Sequence, residues 1–203
     1  MSKVIAITNQ KGGVGKTTTS VNLSAALALE KNKVLLVDMD PQANATQGIG
    51  IDRNMIEHTT YEVLIDQVTI DKIIVHSNVE NLDVAPASID LAGVEVQLSN
   101  VRSGREQRLK KAMANIRDNY DYIIIDCPPS LNMLTINSMT TADSILVPIQ
   151  CEYYALEGLS QLIHTVNLVK ERLNPNLVKE GVVFTMFDSR TNLSTQVVEN
   201  VKS

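Results

Sequence analysis

Apolar residues follow two alternating patterns along this chain: short uninterrupted runs, and longer segments in which they recur at helical spacing. The short runs are rich in β-branched residues and predict strands. Several of them are apolar at consecutive positions, which is typical of strands in a sheet that is covered on both faces. The predicted strands are Val4–Thr8, Val34–Asp38, Leu82–Pro86, Tyr122–Asp126, Ile145–Ile149 and Val182–Phe187.

The longer segments predict helices between those strands. In the clearest of them, Leu159, Leu162 and Val166 fall on one helical stripe, whereas Gln161 and His164 fall elsewhere. The predicted helices are Lys16–Glu30, Leu91–Leu98, Arg105–Asn119, Met133–Thr140, Ala155–Leu173 and Ser194–Lys202. Because strands and helices alternate, the sequence predicts an α/β fold in which a doubly wound, mostly parallel sheet carries helices on both faces.

A single domain over residues 1–203 is expected, since no repeat, low-complexity tract or linker interrupts this alternation. Residues 41–60 are rich in Gly, Asn, Gln and Thr and predict a long connection, which makes them a candidate functional loop. Val182–Phe187 has the character of a central strand, and only one predicted helix follows it. Because a doubly wound sheet usually continues at such a point, we expect this domain to lack its C-terminal strand and helix.

Composition narrows the classes of protein to which the chain can belong. Its 203 residues are 44% apolar and 20% charged, as in ordinary globular domains. The net charge of −5 argues against wholesale electrostatic binding of DNA or anionic lipid, so any such contact needs a local basic patch. Cys127 and Cys151 lack the spacing of a metal site or a disulfide framework. With no secretory signal and no long apolar segment, a cytoplasmic protein is expected.

Residues 11 to 18, Lys-Gly-Gly-Val-Gly-Lys-Thr-Thr, stand between the first predicted strand and the first predicted helix. Strand, glycine-rich loop and helix in this order form a phosphate cradle, because backbone N–H groups and the helix N-terminus converge on one anion. Lys16 then reaches the β- and γ-phosphates and Thr17 binds Mg²⁺. Gln10 stands where the usual pattern has glycine, and a second lysine, Lys11, opens the loop. A glycine-rich turn without a ligand is the simpler alternative.

Asp38 and Asp40 lie at the end of the second predicted strand, in the segment Asp-Met-Asp-Pro-Gln. Alternation along an extended strand places both carboxylates on the same side. In a parallel sheet this carboxyl edge is where ligands bind. One carboxylate can hold the water shell of Mg²⁺ while the other orients an attacking water. Two solvated aspartates at a strand end are the alternative.

An apolar strand that ends in Asp126 has the Walker B arrangement, in which the carboxylate meets Mg²⁺ directly or through water. Pro128 and Pro129 follow and stiffen a turn that can sense the γ-phosphate. The alternative is a strand-terminating aspartate that binds no ligand. Cys127 is interpreted as a small buried apolar residue rather than a nucleophile.

Four segments together resemble the ParA/Soj family, the deviant Walker A ATPases of chromosome and plasmid partition within the MinD/ParA superfamily. They are the loop at residues 11 to 18, Asp-Met-Asp-Pro-Gln at 38 to 42, Asp-Cys-Pro-Pro-Ser at 126 to 130, and Gln-Cys-Glu-Tyr-Tyr-Ala-Leu-Glu-Gly at 150 to 158. The resemblance runs through essentially the whole chain and implies a P-loop NTPase-type fold. It also implies that ATP, with Mg²⁺, drives formation of a nucleotide-sandwich homodimer.

By matching position, the resemblance assigns roles to individual residues. Lys11 reaches across to the nucleotide of the other subunit, Lys16 contacts the β- and γ-phosphates, and Asp40 positions the attacking water, so that these three are the catalytic candidates. Thr17, Asp126 and Asp40 are the metal candidates. The nucleotide-binding candidates are Lys11, Gly12, Gly13, Val14, Gly15, Lys16, Thr17, Thr18, Thr185 and Met186.

The resemblance also implies partners. Members of this family bind double-stranded DNA without sequence preference as the ATP dimer, a ParB-type centromere-binding protein stimulates hydrolysis, and they associate with the nucleoid in the cytoplasm. Arg190 matches a basic position of the family and is the DNA-binding candidate. A denser basic cluster is interpreted as a solvated helix face; it comprises Arg102, Arg105, Arg108, Lys110, Lys111 and Arg117. No membrane contact is expected.

Three other functions stay open at the level of sequence. A MinD-like membrane switch uses the same ATP chemistry and needs an amphipathic basic helix near its C-terminus. Iron–sulfur reductase relatives need cluster cysteines that face each other across a dimer, a poor match to Cys127 and Cys151. A binding-only protein would hold ATP and barely hydrolyse it. The segments at 38 to 42 and 150 to 158 favour the partition branch.

Overall fold

The computed structural model describes residues 2–152 and 155–202, and it centres on one seven-stranded sheet. Tyr153 and Tyr154, which belong to the fourth motif, lie outside the described residues. The strands are β1 (Lys3–Ile7), β2 (Val34–Asp38), β3 (Val75–His76), β4 (Leu82–Ala85), β5 (Tyr122–Asp126), β6 (Ser144–Gln150) and β7 (Val178–Thr185).

The strand order is β3-β4-β2-β5-β1-β6-β7. All neighbouring strands are parallel except β3 and β4, which pair antiparallel at one edge. The three central strands end at one level, since Asp126 is in register with Asp38 of β2 and with Ile7 of β1. The motifs that follow these strands therefore meet at the carboxyl edge of the sheet, and the predicted doubly wound α/β fold is confirmed.

Helices connect the strands and cover both faces of the sheet. The α-helices are α1 (Lys16–Leu29), α2 (Asn44–Gly48), α3 (Thr60–Leu64), α4 (Val94–Ser99), α5 (Arg108–Met113), α6 (Met133–Thr141), α7 (Ala155–Arg172) and α8 (Asn192–Lys202). Single 3₁₀ turns lie at Arg53–Met55, Ile70–Lys72, Ile89–Gly93, Arg105–Gln107 and Arg117–Asn119. In the described part of the chain, no helix is both long enough and apolar enough to cross a membrane.

Side chains of each central strand alternate between two apolar layers. In β1, Ile5 and Ile7 join the layer that contains Ala28 of α1, whereas Val4 and Ala6 join the layer on the opposite face. These strand residues are almost wholly inaccessible to solvent. Burial on both faces explains why the sequence of the central strands is apolar at consecutive positions.

The segment Arg105–Asn119 was predicted as one continuous helix, and this prediction was wrong because the structure interrupts it. The side-chain amide of Asn137 causes the interruption. An α-helix would need a bond from the Leu109 N–H to the Arg105 carbonyl. Instead the Leu109 N–H donates to Asn137 Oδ1 at 3.2 Å, and Asn137 Nδ2 donates to the Arg105 carbonyl at 2.9 Å. The buried amide on α6 thus takes the place of a helical bond, and the segment divides into 3₁₀ turns around the short α5.

Other boundaries also differ from the sequence prediction. β7 begins at Val178, ahead of the predicted Val182, because it pairs with β6 from Ser144 onward. The strand ends at Thr185, since Met186 has a positive φ of 51°. The predicted connection at 41–60 contains the short α2, and the two-residue β3 was not predicted.

Candidate functional site

The loop between β1 and α1 turns through glycines in the left-handed region. Gly13 and Gly15 have φ values of 74° and 87°, a backbone conformation that costs residues with a Cβ about 1–2 kcal/mol. Gly15 is the N-cap of α1, and no side chain caps this helix end. The first N–H groups of α1 therefore remain available to an anion, at the positive end of the helix dipole.

A cleft of about 340 Å³, called the α1 cleft below, opens over this helix end. It brings together the glycine-rich loop, the start of α1, the segment after β2 and the proline turn after β5, as the order of the parallel strands predicts. The lining residues are Gly12, Gly13, Gly15, Lys16, Thr17, Thr18, Asp40, Gln42, Asn44 and Pro129.

Lys16 is almost fully buried at the floor of the cleft. Its Nζ donates to the Lys11 carbonyl at 2.7 Å, so that the ammonium is held beneath the loop. Burial lowers the Lys16 pKa, whereas the nearby Asp126 and Asp40 carboxylates act in the opposite direction. The structure therefore places a cation next to the carboxylates predicted for the metal site.

Lys11 lines a different cleft from the one that Lys16 lines. Its N–H donates to Asn9 Oδ1 at 3.0 Å, and Asn9 Nδ2 donates to the Pro148 carbonyl at 2.8 Å, which ties the start of the loop to β6. The Lys11 ammonium pairs with Glu152 and borders a second, more open cleft of about 550 Å³. The Lys11 side chain is 37% exposed, so solvent reaches it although it is paired.

Gln10, the residue that replaces the usual glycine, also faces this second cleft. Its Nε2 donates to Gln161 Oε1 at 2.8 Å and approaches the Gly158 carbonyl at 3.4 Å. Both partners lie on α7. The side chain of Gln10 thus links the start of the phosphate loop to the first turns of that helix.

Asp126 is fully buried at the end of β5. Its Oδ1 accepts from Ser20 Oγ at 2.9 Å, whereas no group in the described part of the chain hydrogen-bonds to Oδ2. Burial raises the Asp126 pKa to about 7, with a contribution from the Asp38 carboxylate, while the hydroxyls of Thr17 and Ser20 partly oppose the shift. An unpaired buried carboxylate oxygen is costly unless a cation or donor meets it.

Asp38 and Asp40 have different surroundings although they are two residues apart. Asp38 is fully buried; its Oδ2 accepts from the N–H and the hydroxyl of Thr46, both at 2.8 Å, and burial raises its pKa to about 6. Its Oδ1 accepts from the Asp40 N–H at 3.0 Å, which turns the chain immediately after β2. The prediction from strand alternation assumed an extended chain through Asp40, whereas only Asp40 lines the α1 cleft.

The residues present fit a phosphate chain and Mg²⁺. The uncapped end of α1 and the two left-handed glycines provide the anion cradle. Thr17 and the unpaired Oδ2 of Asp126 provide hard oxygen ligands. Among the described residues, no three His, Cys, Asp or Glu side chains form a ready metal cage. A cation that keeps waters and takes phosphate oxygens, as Mg²⁺ does, suits such a sparse ligand set.

Thr185 is the last residue of β7, and Met186 follows it. Thr185 Oγ1 donates to the Val14 carbonyl at 2.9 Å, and its methyl group packs against Gly15. Met186 is more than half exposed and has a positive φ. The structure thus brings Thr185 to the phosphate loop, where it supports the Gly15 turn, and leaves Met186 at the surface.

Arg190 is exposed and forms a two-pronged ion pair with Asp188, with its Nη2 at 2.7 Å from Oδ2 and its Nε at 2.9 Å from Oδ1. Several members of the predicted solvated cluster are also paired. Arg105 contacts Glu106, Arg108 contacts Asp66, and Arg117 contacts Asp143.

Cys127 and Cys151 are both buried. Burial raises the Cys127 pKa to about 12, which keeps the thiol protonated at neutral pH. A thiol of this kind is neither a ready nucleophile nor a ready cluster ligand.

Sequence inspection missed three residues that shape the site: Ser20, Asn9 and Thr46. Ser20 comes one helical turn after Lys16, and this spacing puts both on the same face of α1. From this spacing, Ser20 could have been identified in the sequence as a residue of the site. Asn9 acts through Pro148 and Thr46 partly through Ala87, which are 139 and 41 positions away, and the sequence alone offers no signal for such contacts. Thr46 also bonds to Asp38, only eight positions away, but no sequence motif marks that contact.

The family described as an AAA domain matches residues 2–179. The chain is 60% identical over 202 residues to the sporulation initiation inhibitor protein Soj of Bacillus subtilis, a match that covers 100% of this chain and 79% of that protein. It is 54% identical over 202 residues to the chromosome partitioning protein ParA of Myxococcus xanthus, covering 100% of this chain and 71% of that protein.

Solved structures are similar over the whole chain. A cobyrinic acid a,c-diamide synthase from Mycobacterium smegmatis, with bound ADP and magnesium, superposes with a TM-score of 0.94 at 42% identity and covers 100% of this chain and 82% of that chain. A plasmid partition protein from Borrelia burgdorferi superposes with a TM-score of 0.84 at 31% identity, covering 100% and 86%. These matches agree with the P-loop NTPase-type architecture.

Proposed function

Because this chain belongs to the ParA/Soj family of partition ATPases, we propose that it hydrolyses ATP to ADP and phosphate in a cycle that controls its own dimerisation and its binding to DNA. The observation that carries this proposal is the division of the two lysines between two clefts. Lys16 lies on the floor of the α1 cleft beside Asp40 and Asp126, whereas Lys11 borders the neighbouring open cleft.

Within one subunit, the α1 cleft holds the nucleotide. N–H groups of residues 12 to 18 bind the phosphates, Lys16 binds the β- and γ-phosphates, and Thr18 lies near the α-phosphate. Thr185 and Met186 border the adenine side. When bound, Mg²⁺ neutralises charge that develops on the β- and γ-phosphate oxygens. Thr17, Asp126 and Asp40 are the residues that would hold it.

Hydrolysis requires an attacking water that is oriented in line with the γ-phosphate. Asp40 lines the α1 cleft and is almost fully buried, so its carboxylate can hold such a water with little competition from solvent. The N–H of Gln42 donates to Asp40 Oδ1 at 2.9 Å and limits the motion of the carboxylate. Asp40 is therefore the residue to which we assign the positioning of the nucleophile.

Lys11 acts on the nucleotide of a second copy of the chain. A sandwich of two nucleotides between two subunits gathers many phosphate charges, which a cation supplied from the other subunit offsets. The same cation stabilises charge on the phosphoryl group during transfer, as an arginine finger does. The ion pair with Glu152 keeps Lys11 at the open cleft until a second subunit arrives.

The dimer is the form that binds double-stranded DNA without sequence preference, with Arg190 as the candidate contact, at the nucleoid in the cytoplasm. Such binding weakens steeply with added salt, because phosphate contacts release counterions. A ParB-type centromere-binding protein stimulates hydrolysis and returns the chain to its monomeric form. The identity to Soj and ParA, 60% and 54%, exceeds the 42% identity to the synthase and supports a role in partition.

Steady-state ATP turnover tests this proposal when it is measured alone, with DNA, and with DNA and the ParB-type partner. We expect stimulation above the basal rate, and we expect Lys11→Ala to abolish hydrolysis with limited loss of nucleotide binding. Lys72→Ala removes an exposed lysine that lines neither cleft and serves as the control. A basal rate that neither DNA nor the partner raises would contradict the partition role and favour a protein that only binds ATP.

A further inference from the structure

The buried stripe of α1 is unusually polar. The residues that it turns towards the sheet are Lys16, Ser20, Ser24 and Ala28, spaced by one helical turn each. Helices that pack on a sheet normally bury apolar side chains at such positions. A buried hydroxyl costs free energy unless it makes a hydrogen bond, so both serines need an explanation.

Ser20 has two oxygen atoms within hydrogen-bonding distance. Its Oγ lies 2.9 Å from Asp126 Oδ1 and 3.0 Å from the Lys16 carbonyl oxygen. A hydroxyl has a single hydrogen to donate, and a bond to an ionised carboxylate is stronger than a bond to a neutral carbonyl. When Asp126 is ionised, the hydrogen therefore points to its carboxylate.

This bond fixes the orientation of the Asp126 carboxylate. The terminal torsion of an aspartate is broad, so an unrestrained carboxylate rotates between many orientations. Ser20 holds Oδ1 against α1, and Oδ2 has no hydrogen-bond partner among the described residues. The carboxylate lies near Lys16 and the Thr17 hydroxyl, and both of these residues line the α1 cleft. A cation that binds to Asp126 therefore meets the Oδ2 atom, in a single orientation of the carboxylate.

We propose that Ser20 is the positioning residue for Asp126: its hydroxyl holds Oδ1, so that Oδ2 is presented to Mg²⁺ or to a water of its shell. The inference rests on the proposed function, because it presumes that Mg²⁺ binds with the nucleotide. Groups that orient a metal ligand in this way typically affect metal affinity by about 10–100-fold.

Ser24 provides a matched control on the same helix. It is fully buried on the same stripe, one helical turn further on, and its Oγ has no hydrogen-bond partner in the described part of the chain. Ser24→Ala and Ser20→Ala remove the same atom from equally buried positions. A purely structural role for hydroxyls on α1 predicts the same effect on Mg²⁺ for both, whereas the positioning role predicts an effect for Ser20 alone.

The test measures ADP affinity by fluorescence titration, with Mg²⁺ and with EDTA, and Mn²⁺ binding to the ADP complex by electron paramagnetic resonance. In the wild-type chain we expect Mg²⁺ to strengthen ADP binding. In Ser20→Ala we expect the half-saturating Mg²⁺ and Mn²⁺ concentrations to rise about 10-fold or more, with ADP affinity in EDTA unchanged. Ser24→Ala should match the wild type. Unchanged Mg²⁺ and Mn²⁺ dependence in Ser20→Ala would overturn the inference.

A double-mutant cycle with Asp126→Asn identifies the route of the effect. If Ser20 acts through Asp126, Ser20→Ala adds nothing to the loss of Mg²⁺ dependence in Asp126→Asn, whereas two additive losses contradict the proposal. Ser20→Thr keeps the hydroxyl and should restore Mg²⁺ dependence. Should Ser20→Ala fail to fold, Ser20→Cys replaces it in the comparison, because a thiol is similar in size to a hydroxyl but a much weaker hydrogen-bond donor. We expect weaker Mg²⁺ dependence in Ser20→Cys than in the wild type. Wild-type Mg²⁺ dependence in Ser20→Cys would overturn the inference.

The outcomes also separate this inference from the proposed function. If Mg²⁺ does not change the ADP affinity of the wild-type chain, both the inference about Ser20 and the proposed function are overturned. Normal Mg²⁺ dependence in the wild type and in Ser20→Ala would overturn only the role of Ser20 and leave the ATPase proposal standing.

Discussion

Gly15 shows how a single residue determines the shape of the phosphate site. It combines a left-handed backbone with close packing, since a Cβ at this position would lie 3.3 Å from the methyl carbon of Thr185. Gly12 belongs to the same loop, but it has no left-handed backbone, and a Cβ there would lie 3.9 Å from the Pro129 side chain, which is an ordinary contact. The two glycines therefore differ in what they contribute to folding.

We expect Gly15→Ala to lower the free energy of unfolding by about 1–2 kcal/mol, because alanine pays the cost of the left-handed region. Gly12→Ala should change it by less than about 0.5 kcal/mol, as ordinary surface substitutions do. Urea denaturation in the absence of nucleotide measures both changes. Equal destabilisation by the two variants would show that the left-handed turn at Gly15 does not matter for stability.

At the scale of elements, the sequence predicted the parts whose structure depends on local pattern. The predicted Val34–Asp38 and Tyr122–Asp126 match β2 and β5, because uninterrupted apolar runs identify central strands. The break in the predicted helix Arg105–Asn119 could not be predicted, since it depends on Asn137 of a different helix. The link between Ser20 and Asp126 was missed for the same reason, because the two residues are 106 positions apart in sequence.

One buried hydroxyl of the helix α2 bonds to the ends of two strands. Thr46 Oγ1 donates to Asp38 Oδ2 at 2.8 Å and accepts from the Ala87 N–H at 3.1 Å, so it connects α2 with the ends of β2 and β4. Asp38 also accepts from the Asp40 N–H. The position of α2 is thereby coupled to the backbone of Asp40.

We expect Thr46→Val to lower the free energy of unfolding by about 1–3 kcal/mol, since the valine removes one of the donors to the buried Asp38 carboxylate and leaves the buried Ala87 N–H without its partner. Thr165→Val removes a hydroxyl that bonds to a helix carbonyl at the surface, and should cost less than about 0.5 kcal/mol. Chemical denaturation of both variants measures the difference. A loss of the same small size in Thr46→Val would mean that the network does not hold α2.

At the scale of the whole molecule, the fold places two carboxyl groups side by side in its interior. Burial raises the pKa of Asp38 to about 6 and that of Asp126 to about 7, from an ordinary value of 3.8. Between the ordinary pKa of 3.8 and these raised values, the folded chain binds more protons at the two carboxyl groups than the unfolded chain does. Their contribution to stability is therefore present at low pH and is lost as pH rises through the folded values.

We expect the free energy of unfolding, measured without Mg²⁺ and nucleotide, to fall less steeply between pH 5 and pH 7.5 in Asp126→Asn than in the wild type. The asparagine cannot ionise, and it relieves Asp38 of a neighbouring charge. Asp118→Asn, at an exposed position, should keep the wild-type pH dependence. Parallel pH profiles for Asp126→Asn and the wild type would show that the buried carboxyl does not titrate in this range.

In the proposed function, the α1 cleft holds the nucleotide and Lys11, at the second cleft, acts on another copy of the chain, so ATP-dependent dimerisation is the central claim. Sedimentation analysis of Asp40→Ala, in which hydrolysis should be blocked, tests it most directly. With Mg²⁺ and ATP we predict the mass of a dimer, and with ADP, or with ATP after the further change Lys11→Ala, the mass of a monomer. Asp40→Ala that stays monomeric with ATP would contradict the account.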